Sequence, residues 1–207
     1  MLKLVLVFVA YILGSIPTAV WVGTIFYKKD VREYGSGNAG ATNTFRVLGA
    51  KAGIPVLLID VLKGFLAVYL ANFFTNLSVE TVDMVNFQLT LGIAALIGHI
   101  FPIFAGFRGG KGIATLLGFM IGIEPQGAGI AMAVFLIIFL ITRIVSISSM
   151  LASIAFPLIV FFYIKTEIIS LQLFSIFIAI LVIVTHKNNI ARLIKGEESR
   201  ISFKKNQ

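Results

Sequence analysis

Four polar segments interrupt an otherwise apolar chain, and their residue types suit one task, the holding of anions. The first reads Gly35-Ser36-Gly37-Asn38-Ala39-Gly40-Ala41-Thr42-Asn43-Thr44-Phe45-Arg46. Glycines let backbone N–H groups approach a phosphate or carboxylate, while Ser, Thr and Asn add hydrogen-bond donors and Arg adds charge. A plain solvated turn has no need of Asn38, Thr42, Asn43 and Arg46 together. Gly35, Gly37 and Gly40 also match the spacing of a dinucleotide-binding fingerprint, with Asp60 twenty residues on. That match fails on context. An apolar run and a charged stretch precede it, and Asp60 lies in another apolar run, so no strand–helix–strand unit exists.

The second segment, Gly98–Gly112, closes on Arg108-Gly109-Gly110-Lys111-Gly112. A nucleoside-triphosphate loop would need glycine at Ala105 and Ser or Thr at Gly112, so that reading is excluded. Lys111 stands where the next helix is predicted to start. Free N–H groups and the helix dipole, together with a lysine, make an anion pocket there. The alternative for Arg108 and Lys111 is plain anchoring at a membrane interface. His99, inside an apolar run, reads as a structural histidine with its hydrogen bonds satisfied in the core.

The third segment, Thr142–Ser149, brings Arg143 with Ser146, Ser148 and Ser149. Its hydroxyls either face a site or back-bond to helix carbonyls. The fourth begins His186-Lys187-Asn188-Asn189. On a continuing helix His186 and Asn189, three residues apart, share a face, expected to look into the same mouth as the three loops. Asp60 and Lys63 are also three apart, inside an apolar run. An intramembrane pair of this kind can neutralise itself, and it is read as a structural pair that props the first loop.

These segments need elements to carry them, and the composition says which. Of 207 residues, 58% are hydrophobic and 13% charged, with 19 Phe and a mean hydropathy of +1.01. Soluble domains carry about 45–50% apolar and roughly 25% charged residues, so most of this chain is solvated by lipid. Cysteine is absent, which removes thiol nucleophiles, thiolate zinc sites and disulfide scaffolds. The net charge of +8 points to anionic headgroups or anionic small substrates rather than to nucleic acid.

Crossing about 30 Å of hydrocarbon takes roughly 20 helical residues. Runs at about 2–27, 52–75, 87–105, 146–164 and 168–186 meet or approach that length. The stretch 112–141 is broken by Glu124-Pro125-Gln126-Gly127, a turn signal, and is read as two short helices, 112–123 and 127–141. The first run exceeds the apolar core of a signal peptide, so cleavage is not expected. The predicted fold is an all-α polytopic membrane protein, a single domain over 1–207. It has seven transmembrane helices, two of them short and central, with no internal repeat. Of the 17 Lys and Arg, Lys63 lies within the second span and only Lys3 and Lys165 fall on one side; the remaining fourteen share the other. By the positive-inside rule that side is cytoplasmic, with the N-terminus outside and the C-terminus inside.

Together, Gly35–Arg46, Gly98–Gly112, Thr142–Ser149 and His186–Asn189 resemble, in order and spacing, the bacterial acyl-phosphate:glycerol-3-phosphate acyltransferase family. Leu13–Pro17 and Asp60–Gly64 look like family features as well, so the resemblance covers the whole chain. Arg108 departs from the family's more frequent lysine, and either residue supplies a cation. The resemblance implies transfer of an acyl chain from acyl phosphate to the sn-1 hydroxyl of glycerol 3-phosphate, giving lysophosphatidic acid and inorganic phosphate, the first step of phospholipid synthesis. It implies a bacterial inner-membrane enzyme with a cytoplasm-facing site, no cofactor and no metal; its partners would be the two substrates and the bilayer, with no nucleic acid, and protein partners unknown. It assigns glycerol 3-phosphate to Ser36, Asn38, Arg46, Lys111, His186 and Asn189, and acyl phosphate to Thr42, Asn43, Gly109, Gly110, Ser146 and Ser149. Catalytic roles would fall to His186, Lys111 and Asn189, with the proton taken either by His186 or by a substrate phosphate oxygen.

The residue types agree with that chemistry. Two phosphate-bearing substrates bring nearly four negative charges to one place, so cations and N–H donors must dominate there. A transporter would want its charges at the midplane among broken helices, whereas here the polar residues gather at one face. A metal-dependent lipid transferase would need several membrane-edge carboxylates for Mg²⁺, and only Asp60 and Glu33 are near. An acyltransferase with Asp five positions after His is excluded, because Phe104 follows His99 and Ala191 follows His186 at that spacing.

Overall fold

The computed structural model describes residues 1–73 and 82–201. Glu80, Lys204, Lys205 and the end of the predicted second span lie outside the described residues. Among the described residues every regular element is helical. The chain divides into two compact units, Met1–Pro125 and Gln126–Gln207.

In the first unit, α1 (Leu2–Gly14) and α2 (Thr18–Tyr27) form one apolar run bent by 41°. The bend falls at Ser15–Pro17, where the proline has no N–H to continue the ladder. A 3₁₀ turn at Val31–Glu33 follows. The expected glycine-rich loop is a loop only as far as Gly40. From Ala41 to Leu48 it winds into α3, which carries Thr42, Asn43 and Arg46, and Gly49 ends it at φ +83°. Then come α4 (Ala50–Tyr69) with a 3₁₀ extension to Phe73, α5 (Val82–Ile100) and α6 (Ile113–Ile123).

The packing of this unit rests on small residues, as expected where lipid leaves close backbone contact as the main source of cohesion. α4 and α6 touch backbone to backbone. A Cβ at Gly64 would collide with the Thr115 carbonyl, and one at Gly118 with that of Val61. α1 packs on α5 through Leu6, Ala10, Leu91 and Ala95. Asp60 and Lys63 are both buried and paired at 2.9 Å. Asp60 also accepts from Thr18 Oγ1 at 3.1 Å, and Lys63 Nζ donates to the Ile16 carbonyl at 3.0 Å. The pair therefore ties α4 to the break between α1 and α2, not to the first loop as the sequence suggests. It satisfies a carbonyl that the break takes out of the helical ladder.

The second unit is built from α7 (Pro125–Thr142), α8 (Val145–Leu158), α9 (Ile169–Thr185) and α10 (Lys187–Ile194). The break predicted in 112–141 falls at Glu124, and Pro125 is the first residue of α7, where its missing N–H costs nothing. After Pro157 the end of α8 widens into a π-helical stretch, Ile159–Ile164, as a proline-disturbed ladder commonly does. α9 and α10 do not form the continuous helix the sequence suggests; they bend by 58° at His186.

Among the described residues, four helices are long and apolar enough to cross a membrane alone: Ala50–Phe73, Val82–Ala105, Pro125–Thr142 and Val145–Ile164. Counting each bent pair as one span makes six. α6 has 11 residues, about 16 Å of helix against about 30 Å of hydrocarbon. Large apolar side chains such as Leu4, Phe8, Leu58, Phe162 and Leu140 point outward, which in water would be ruinous and in lipid is the favoured arrangement.

Candidate functional site

In the first unit, Asn43 organises the first loop. It is buried, and its Oδ1 accepts the Ser36 N–H at 2.9 Å while Nδ2 donates to the carbonyls of Val31 (2.8 Å) and Tyr34 (3.1 Å). Both amide hydrogens, which sequence reasoning offers to acyl phosphate, are therefore spent on the protein's own backbone. The loop must curl tightly to allow this, and Gly35 and Gly37 supply left-handed φ values of +62° and +72°. A Cβ on Gly35 would strike the Asn43 amide oxygen. Thr44, buried beside it, donates to the Gly40 carbonyl at 3.1 Å. What the curl turns outward is Ser36, which is exposed, and Asn38, which is half-buried; Thr42 is half-buried and Arg46 exposed on α3.

The α5–α6 segment is tied back on itself. Gly109 N donates to the Ile100 carbonyl (3.1 Å) and Gly110 N to that of His99 (3.2 Å). These N–H groups, expected to be free for an anion, cap the C-terminus of α5 instead. The glycines serve close approach: a Cβ at Gly110 would meet His99 Nε2 on one side and the Ala39 carbonyl, 2.9 Å away, on the other. Gly110 is thus the point where the second segment lies against the first. Lys111, half-buried, leads into α6 next to this contact. His99 is buried, with Nδ1 3.0 Å from Thr115 Oγ1 and 3.8 Å from Asp60 Oδ1, the satisfied structural histidine that the sequence suggests.

One residue that sequence reasoning counted only as membrane-side charge holds these segments together. Arg32 chelates Asp30 through Nε (3.0 and 3.1 Å) and Nη2 (2.7 Å), and its Nη1 reaches the carbonyls of Ala105 (2.8 Å) and Arg108 (3.3 Å). The guanidinium hydrogen bond holds the Asp30 carboxyl below its usual range despite partial burial.

In the second unit two hydroxyls of the third segment bond within the protein. Ser148 back-bonds to the Ile144 carbonyl at 2.9 Å, Ser149 is buried, and Ser146 Oγ donates to Glu198 Oε1 at 2.9 Å. Arg143, with φ +58°, turns the chain between α7 and α8, and its carbonyl accepts the Ile201 N–H at 2.8 Å. Glu198 is the residue sequence reasoning missed, since nothing in its local pattern sets it apart. It also takes Asn189 Nδ2 (2.6 Å) and Arg192 Nε (2.7 Å). Burial raises its pKa, but the hydrogen bonds from Arg192, Asn189 and Ser146 outweigh that and hold it below the usual value. His186 is buried, and its Nδ1 lies 2.7 Å from the Val182 carbonyl. A carbonyl only accepts, so Nδ1 carries a hydrogen. Among the described residues no group of three or more metal-ligating His, Asp or Glu side chains is brought together.

Comparison with known proteins fits this arrangement. The model of a family described as glycerol-3-phosphate acyltransferase matches residues 4–196, a range that runs through both units. The glycerol-3-phosphate acyltransferase of Listeria monocytogenes (strain EGD-e) is 46% identical, the match covering 94% of each chain. That of Chlorobium chlorochromatii (strain CaD3) is 42% identical, with 98% of each chain covered. Among solved structures, PlsY (YgiH), an integral membrane glycerol 3-phosphate acyltransferase crystallised in its glycerol 3-phosphate form, is similar with a TM-score of 0.83. It shares 37% identity over 98% of this chain and 96% of the other.

Proposed function

This chain belongs to the glycerol-3-phosphate acyltransferase family and is an integral membrane acyltransferase, and from that premise we propose that its donor is acyl phosphate and its product lysophosphatidic acid. The sn-1 hydroxyl oxygen of glycerol 3-phosphate attacks the carbonyl carbon of the acyl phosphate. The new ester C–O bond forms, the bond from that carbon to the phosphate oxygen breaks, and phosphate departs. The proton balance is closed by the leaving group: a hydroxyl proton is lost and hydrogen phosphate is formed. Acyl phosphate is already an activated anhydride, so no covalent enzyme intermediate is required. The protein's task is to hold two anions together and stabilise charge as it moves onto phosphate.

The observation that carries this reading is the seating of Gly110 between His99 and Ala39. It sets Lys111 beside the polar curl of the first loop, where the Asp30 carboxylate is paired with Arg32. We assign Ser36, Asn38, Arg46 and Lys111 to glycerol 3-phosphate. Thr42 is assigned to acyl phosphate, with Asn43, Gly109 and Gly110 shaping the segments rather than donating. In the second unit, His186 and Asn189 keep the roles the resemblance gives them toward glycerol 3-phosphate and Ser149 toward acyl phosphate, whereas the Ser146 hydroxyl hydrogen is spent on Glu198; the proton goes to His186 or to a substrate phosphate oxygen. The chain acts as one acyltransferase domain with seven membrane helices, the short α6 among them, and its basic side in the cytoplasm of a bacterial inner membrane.

A donor comparison tests the reaction. Purified protein in detergent with glycerol 3-phosphate is expected to make 1-acyl-glycerol 3-phosphate from palmitoyl phosphate and none from palmitoyl-CoA. Product formed from the thioester alone would overturn the donor assignment.

A further inference from the structure

Arg32 uses both edges of its guanidinium, and the two edges join parts of the chain more than seventy residues apart. One edge is fixed to Asp30, which also accepts the Arg32 backbone N–H at 2.9 Å and so locks the plane of the group on its own 3₁₀ turn. The other edge, Nη1, grips the carbonyls of Ala105 and Arg108. Those carbonyls flank Gly106 and Phe107, two successive residues in the left-handed region at φ +62° and +60°. Phe does not adopt that conformation by preference, so the loop's shape needs a hold from outside. Its inner side has one, in the bonds from Gly109 and Gly110 to the end of α5; Arg32 supplies the outer one.

We propose that Arg32, held by Asp30, is a positioning residue for Lys111: it fixes the α5–α6 loop so that the ammonium stands where a substrate phosphate binds. The proposal rests on the reading of Lys111 as a phosphate ligand. Lysine cannot replace arginine here, because a point charge on a flexible stem cannot chelate a carboxylate and two carbonyls in one plane. Arg32 touches no substrate and acts through the loop alone.

Two measurements separate this from a general structural role. The first is kinetic: Arg32→Lys is expected to raise the KM for glycerol 3-phosphate by ~10-fold or more, with kcat within about threefold and melting temperature unchanged. The second does not depend on turnover. The chain has no cysteine, so a single nitroxide on Phe107→Cys reports this loop; its spectrum is expected to be immobilised in the parent and mobile when Arg32→Gln is added. An unaltered spectrum in Arg32→Gln overturns the proposal, as does wild-type KM in Arg32→Lys or a joint fall of kcat, KM and melting temperature. Should the parent turn over no glycerol 3-phosphate, the reading of Lys111 falls while the nitroxide still decides whether Arg32 holds the loop.

Discussion

Lys111 follows two glycines whose N–H groups already cap α5. In the proposed site, the charge stabilisation this segment gives a phosphate therefore comes from the ammonium, not from those two backbone donors. A charge-assisted hydrogen bond is worth about 1.5–3 kcal/mol net, and about 1.4 kcal/mol is tenfold in rate. Lys111→Ala is expected to lower kcat/KM at least ~10-fold and up to more than ~100-fold. Lys111→Arg should fail too, because a planar fork does not fit among closely approaching glycines. Activity of Lys111→Ala within threefold of the parent would return the lysine to membrane anchoring. The sequence displayed Lys111, Arg46 and His186 plainly, as charged or titratable groups in polar segments. It did not display how Asn43 is used, because the carbonyls its amide satisfies at Val31 and Tyr34 become neighbours only once the glycines curl. Glu198 escaped for the same reason: its partner Ser146 lies 52 residues away.

Elements here are joined by a few buried or half-buried ionic clasps rather than by broad polar surfaces. Asp30–Arg32 fastens the α5–α6 loop in the first unit, and Glu198 fastens the tail to Ser146, Asn189 and Arg192 in the second. Both carboxyls are held below their usual pKa in the folded protein. A depressed folded pKa means stability that is fully present above the unfolded value, ~4, and lost as pH falls through the folded one. Glu198→Gln is therefore expected to melt below the parent at pH 7. The gap should stay constant down to about pH 5.5 and shrink as pH drops below ~4. A gap independent of pH down to the acid limit would mean that the carboxylate charge contributes nothing. Helix bounds were largely legible, since apolar runs end where Gly, Pro and charge cluster. The bends at Ser15–Pro17 and His186 were not, because each spans only one to three residues within a run that stays apolar or polar on both sides.

For the whole molecule, hydropathy points to lipid as the solvent, and the distribution of Lys and Arg is the basis of the proposed orientation. Single cysteines at Ser36 and Asn188 are expected to label only from the cytoplasm and one at Asp83 only from outside; Ser36 and Asn188 labelling from opposite faces would overturn the proposed seven-helix arrangement. The chemistry of the whole chain is tested most directly by phosphate release from palmitoyl phosphate in detergent, followed against glycerol 3-phosphate concentration. The expected result is release that depends on glycerol 3-phosphate, saturates with it and matches lysophosphatidic acid mole for mole. Release at the same rate without glycerol 3-phosphate, or with no acylated product, would contradict direct transfer between two anions held by Lys111 and the first loop.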